Sequence, residues 1–281
     1  GQRGLIDAVR RDEHHDELRR RLQARVVALG GELGDVLARL ASVARDPRAL
    51  AVVDGGVRLT YAEWYRRICG AVAGLDALGL KAGDHLVTVL TNRWETASLH
   101  WACQFAGIIV TPLNWRATAN DLDFVCADAD AKALVCEDVS REAVHASTAK
   151  CPRITVEQVG AWLASGAPDA RPRAGADAWS VMLYTSGTTA RPKGVPRRQR
   201  AERAAAVAHV AQNMYRHGER TLGVMPLYHT MGVRSLLAMS LIGGAFVCLP
   251  RFDAARALDL IAAEKITNLY LVPTLYHDLL H

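Results

Sequence analysis

The sequence predicts an α/β fold with mainly parallel sheets covered by helices, and three observations carry that prediction. From residue 80 onward, short apolar runs alternate with stretches of helical length, the rhythm of βαβ units. The same alternation resumes after a less regular stretch at 157–178. With 281 residues, the chain is long enough to bury a sizeable core in one large domain or two moderate ones.

The elements follow in chain order. Charged helical sequence occupies roughly 5–29 and 32–45. ALAVVDGGVRLTYAEW then places two short apolar strands around Asp54-Gly55-Gly56, a hairpin signal. A helix follows, capped by Thr60, and Glu63 three residues later completes a capping box. Next come a strand at 85–90, a helix at 95–107, a strand at 108–113, a helix at 119–128 and a strand at 131–137. Residues 157–178, carrying Gly, Pro, Ala and Asp, read as a connection between subdomains. Beyond them are a strand at 179–185, a helix at 199–215, a strand at 221–226 and a helix at 231–241. A strand at 245–250, a helix at 253–264 and a strand at 267–273 complete the pattern. The expected organisation is a helical N-terminal extension (1–30), a first α/β subdomain (31–178) and a second one (179–281).

Composition narrows the function classes. The net charge of +5 draws on basic residues clustered at 10–25 and 191–203, without aromatic interleaving and with many acidic residues in the chain, which argues against nucleic acid as a partner. No apolar run approaches the roughly 20 residues of a membrane span, and no secretion signal is read at the start. The six cysteines are scattered singly, without zinc spacing, as suits a reducing cytoplasm. The ten histidines form no HExxH pattern, so no protein-only metal site is expected.

LYTSGTTARPKGVP (183–196) holds the chemistry. Hydroxyls at Thr185, Ser186, Thr188 and Thr189 can donate to phosphoryl oxygens, and Gly187 and Gly194 permit close backbone approach. Lys193 adds a point charge on a flexible stem. The order is not that of a Walker loop: the lysine precedes its glycine, no Ser or Thr follows it, and Pro192 disfavours a helix there. A solvated Ser/Thr-rich linker is the plainer reading, but a linker has no reason to follow a buried strand directly.

At these residues the sequence resembles the adenylate-forming superfamily of acyl- and aryl-CoA ligases, peptide-synthetase adenylation domains and luciferases. Their loop reads close to [YT]-[ST]-SGTTGxPKG, and this chain departs from it at Ala190. An alanine enters φ > 0 only at a cost, so the departure bears on the loop's geometry or mobility. RLTYAEW (58–64), FAGIIVTPLNWR (105–116) and MPLYHTMG (225–232) extend the likeness over about 45–281.

The resemblance implies the N-terminal domain of an adenylate-forming enzyme, incomplete at its C-terminal side. It implies ATP-dependent activation of a carboxylic acid to an acyl-adenylate and then to its CoA thioester, with ATP, Mg2+ and coenzyme A. Lys193 and His229 would be catalytic, and Thr185, Ser186, Gly187, Thr188, Thr189, Lys193 and Gly194 would hold the ATP phosphates. His229, Thr230, Met231 and Tyr270 would face the acid around one cavity beside the loop, and Arg116 would meet CoA phosphates. Taken without the resemblance, Tyr270 reads equally as core and Arg116 as a surface arginine. The 216–232 and 255–279 stretches most resemble benzoate- and chlorobenzoate-type ligases, favouring an aromatic or cyclic acid. A non-catalytic nucleotide-binding fragment and a carrier-protein-loading adenylation domain stay open, as does a homodimer. A kinase or P-loop ATPase fits neither the lysine spacing nor the acidic residues.

Overall fold

In the computed structural model, which describes residues 45–167, 169–170, 172–185 and 191–281, the Asp54-Gly55-Gly56 signal makes its hairpin. Strand β1 (Leu50–Asp54) runs antiparallel to β2 (Val57–Thr60), with Gly55 left-handed in the turn at φ 55°. Thr60 caps α1 (Tyr61–Ala77): its hydroxyl accepts from the Glu63 amide, and the Glu63 carboxylate accepts from the Thr60 amide. The helices expected over 5–29 and 32–45 fall, through residue 44, outside the described residues.

Alternation then gives β3 (His85–Val89), α2 (Trp94–Ala106), β4 (Ile109–Pro112), α3 (Ala119–Asp128) and β5 (Ala131–Cys136). Short elements α4 (Arg141–Ala146) and β6 (Arg153–Thr155) follow, beyond what the sequence pattern suggested. The stretch read as a connection opens instead with α5 (Val156–Ser165), capped by Thr155 with Gln158. α5 lies so close to α1 that a Cβ on Gly74 would stand 2.3 Å from the Trp162 ring. Glycine there is a packing requirement, and the contact holds α5 in the fold.

The second part contains β7 (Trp179–Thr185), β8 (Lys193–Arg198), α6 (Gln199–Gln212) and β9 (Arg220–Gly223). After these come α7 (Thr230–Ile242), β10 (Ala245–Cys248), α8 (Ala254–Ala263) and α9 (Pro273–Leu280). The strand expected at 267–273 is reduced to one bridge, Thr221 with Asn268, before Pro273 opens α9. A single bridge is what remains because the rest of that segment finds no strand partner among the described residues.

Two sheets result, in the orders β2-β1-β10-β9 and β6-β5-β3-β4-β7-β8. Among the described residues six of eight ladders are parallel, and the two antiparallel ones, β1–β2 and β7–β8, lie at sheet edges. Strands β9 and β10 return to β1, while β7 and β8 extend β4, so both sheets take strands from either side of residue 178. One buried core joins them, including Val52, Trp64, Trp101, Phe105, Val181 and Phe246. Within it the Trp64 indole N–H donates to the Ser98 hydroxyl at 2.7 Å, and the Tyr61 hydroxyl donates to the Gly244 carbonyl at 2.7 Å.

Candidate functional site

The hydroxyl-rich stretch connects two antiparallel strands. Thr185 stands opposite Lys193 and Tyr184 opposite Gly194, so the lysine opens a strand, not a helix. Both Thr185 and Lys193 are exposed at that end of the ladder. A Cβ on Gly194 would meet Met182 Sδ at 2.9 Å and Tyr184 Cζ at 3.1 Å, so glycine lets these side chains lie across β8. Tyr184 is anchored in turn. Its hydroxyl donates to Asp128 Oδ2 at 2.6 Å, and its ring meets Phe124 edge-on, which ties the end of β7 to α3. Ser186, Gly187, Thr188, Thr189 and Ala190 lie outside the described residues.

The histidine motif follows β9. Asn92, buried just beyond β3, reaches across and binds the segment leading to it. Its side-chain amide donates to the Gly223 and Met225 carbonyls at 3.0 and 2.7 Å, and its carbonyl accepts from the Leu227 amide at 2.9 Å. The chain turns at Pro226, whose carbonyl accepts from the His229 amide at 2.9 Å. His229 is the N-cap residue of α7, reaches solvent, and packs against the Tyr228 ring at 4.8 Å. Partial burial holds its imidazole below the ordinary pKa, so the neutral form, able to accept a proton or a hydrogen bond, dominates at neutral pH.

Thr230, next in line, accepts from the Arg197 guanidinium of β8 at 2.9 Å. Arg197 also forms an ion pair with the buried Glu202 of α6 at 2.5 Å. Burial raises the Glu202 carboxyl, and the Arg197 and Arg234 charges oppose that rise. One arginine thus seats the N-terminal end of α7 against the strand that begins with Lys193. Met231 points the other way, packing against a cluster that includes Val224, Met225 and Leu271.

Tyr270 makes its ring contact with α6. Its ring packs on His209 of α6 at 4.4 Å, and His209 also contacts Tyr215 at 5.3 Å. No hydrogen bond or ring contact links Tyr270 with His229 among the described residues. The structure thus places Thr185, Lys193 and Gly194 at one end of the β7–β8 ladder and joins Thr230, next to His229, to the same strand through Arg197, while the ring contact of Tyr270 is with His209.

Arg116 has company. Its guanidinium lies 3.7 Å from the Trp115 ring centroid, and Arg251, just after β10, lies 4.6 Å from the same centroid. Arg116 also opposes the upward pull of burial on the Tyr228 hydroxyl, so this cationic pair stands near the histidine motif. Two exposed guanidiniums gathered on one indole can hold a phosphate or carboxylate bidentately.

Asn92, Arg197 and Arg251 are absent from the sequence expectations. Asn92 between a strand and a helix looks like an ordinary capping residue, and its real partners lie more than a hundred positions away. Arg251 and Arg197 look like surface charges. A signal existed only for Arg197, which follows the loop motif closely enough to share its strand.

Thr185 and Lys193 lie at the carboxyl end of β7, Asn92 and Arg116 follow β3 and β4, and His229 and Arg251 follow β9 and β10, where open α/β sheets place ligands. A family model described as AMP-binding enzyme matches residues 40–281. The chain belongs to this family. It is 32% identical over 232 residues to a feruloyl-CoA synthase of Amycolatopsis sp., covering 82% of this chain and 47% of that protein. To a long-chain-fatty-acid–CoA ligase of Mycobacterium tuberculosis it is 26% identical over 244 residues, covering 83% and 48%. The structure of ATP-bound MatB from Rhodopseudomonas palustris superimposes with a TM-score of 0.78 at 29% identity, covering 88% of this chain and 51% of that one. The chain thus spans about half the length of the curated relatives it matches. Among the described residues no helix is long and apolar enough to cross a membrane.

Proposed function

We propose that this chain supplies the phosphate-holding and acid-facing part of an AMP-forming acid–thiol ligase, the remainder coming from sequence that corresponds to the relatives' second half. A carboxylate is a poor electrophile. Attack of its oxygen on the α-phosphorus of ATP expels pyrophosphate and attaches AMP, and a thiol then attacks the acyl carbon and expels AMP. Such chemistry is driven by positioning and by neutralising phosphate charge. Lys193, Thr185 and Gly194, with Ser186, Gly187, Thr188 and Thr189, hold the departing phosphates. His229 and Thr230 face the acid, Met231 backs them, and Arg116 with Arg251 takes the phosphates of coenzyme A. Mg2+ would travel on the nucleotide's own phosphate oxygens.

The observation that carries this reading is the Arg197–Thr230 hydrogen bond at 2.9 Å, which joins the lysine strand to the histidine helix. An aromatic or cyclic acid remains the proposed substrate class. Its support is the name of the feruloyl-CoA relative, and the fatty-acid relative argues for the competing class. The test is carboxylate-dependent ATP–pyrophosphate exchange by the intact gene product against aromatic and fatty acids. Exchange driven best by aromatic acids supports the full reading, fatty acids alone would replace the substrate class, and no exchange would sink the ligase. Release of AMP on adding coenzyme A, against a carrier-protein acceptor, identifies the thiol.

A further inference from the structure

We propose that Cys126 and Cys151 form a reversible thiol–disulfide site oxidised by a peroxide. Cys126 lies near the end of α3 and Cys151 just before β6, and the two thiols hydrogen-bond to each other at one open groove of about 290 Å3. Asp123, one helical turn before Cys126, fixes the meeting. Its carboxylate accepts from the Ser147 hydroxyl at 2.6 Å, the Thr148 amide at 2.7 Å and hydroxyl at 2.9 Å, and the Ala149 amide at 3.2 Å. Arg153 donates to the Ser147 carbonyl at 2.6 Å, closing the same segment from the far side. The segment bearing Cys151 is thereby pinned to the helix bearing Cys126, and both side chains line the same groove. The other cysteines, Cys69, Cys103, Cys136 and Cys248, are buried.

The two thiols are not equivalent. Their mutual interaction favours a single thiolate in the pair, and the fuller burial of Cys126 disfavours the charge there. Cys151 is also the more exposed, so it is the attacking thiolate and Cys126 the resolving thiol. Attack of Cys151 on hydrogen peroxide breaks the O–O bond, leaving a sulfenic acid and hydroxide, which takes the proton lost from the thiol to become water. The Cys126 thiol then displaces the sulfenic oxygen as a second water and closes the S–S bond. Two thiols and one peroxide give one disulfide and two waters, and a dithiol reverses the step. The same helix carries Phe124 and Asp128, the contacts of Tyr184, so the modification sits one helix from the strand end at Thr185.

The experiment exposes the folded chain to stoichiometric hydrogen peroxide, alkylates it, and maps peptides without reduction. Expected are a fall from six titratable thiols to four, a Cys126–Cys151 linked peptide, and full recovery with dithiothreitol. In Cys126→Ala, Cys151 should accumulate as sulfenic acid trapped by dimedone. Retention of all six thiols, linkage through another cysteine, or a persistent Cys151 sulfenic acid in the parent chain would each overturn the site. Should Cys126→Ala not fold, mapping of the parent chain decides alone.

Discussion

Arg197 illustrates how much one side chain carries here. It pairs with the buried Glu202 and donates to Thr230, so its removal leaves a carboxylate without its nearest cation. Arg197→Ala should cost about 3 kcal/mol in urea unfolding, and Glu202→Gln in the same chain should recover part of that loss. His100 gives a second test at this scale. It is 4% exposed, its Nε2 has no hydrogen-bond partner among the described residues, and burial pushes its imidazole down to about 4. Between the ordinary value of 6.5 and about 4, the unfolded chain binds a proton that the folded chain refuses. Stability should therefore fall as pH drops through that window, by up to about 1.4 kcal/mol per pH unit for one proton, the loss being complete below it. His85 and His209, also lowered by burial, act with the same sign. His100→Gln should flatten the slope measured by denaturation at successive pH values; an unchanged slope would remove His100 from the account.

The elements show where sequence patterns stop being informative. Thr60 and Glu63 were legible because a capping box is local chemistry. Strand β8 was not, since KGVPRR has no apolar alternation and its residues are half-buried or exposed. An edge strand needs backbone pairing on one side only, and Pro196 is tolerated there. Conversely TNLYLVP has the apolar content of a strand but makes one bridge, because pairing depends on a neighbour as well as on composition. Helix α5 hid behind its own glycine and alanine content. At the site, Gly232 decides how α7 meets the turn before it: a Cβ there would lie 2.2 Å from the Pro226 carbonyl and 2.4 Å from that of Met225. These are backbone atoms, so Gly232→Ala must shift the helix end that carries His229. It should destabilise the protein by roughly 1–3 kcal/mol and impair exchange. A variant as stable and active as the parent would show that the close approach is dispensable.

Across the whole molecule, the two sheets meet at the carboxyl ends of their strands. Asn92 bonds the end of β3 to the end of β9, Arg251 after β10 shares Trp115 with Arg116 after β4, and the Trp94 amide donates to Asp54 of β1 at 3.0 Å. The loop motif was legible because its chemistry lies in consecutive residues. The junction was not, because its partners meet only after the chain has closed on itself. The central claim is that the 185–193 region holds nucleotide phosphates, and equilibrium dialysis of MgATP against residues 1–281 tests it most directly. The account predicts saturable binding that inorganic pyrophosphate displaces, weakened roughly 10- to 150-fold by Lys193→Ala through loss of a charge-assisted contact. Absence of binding, binding indifferent to pyrophosphate, or equal binding by parent and variant would contradict it.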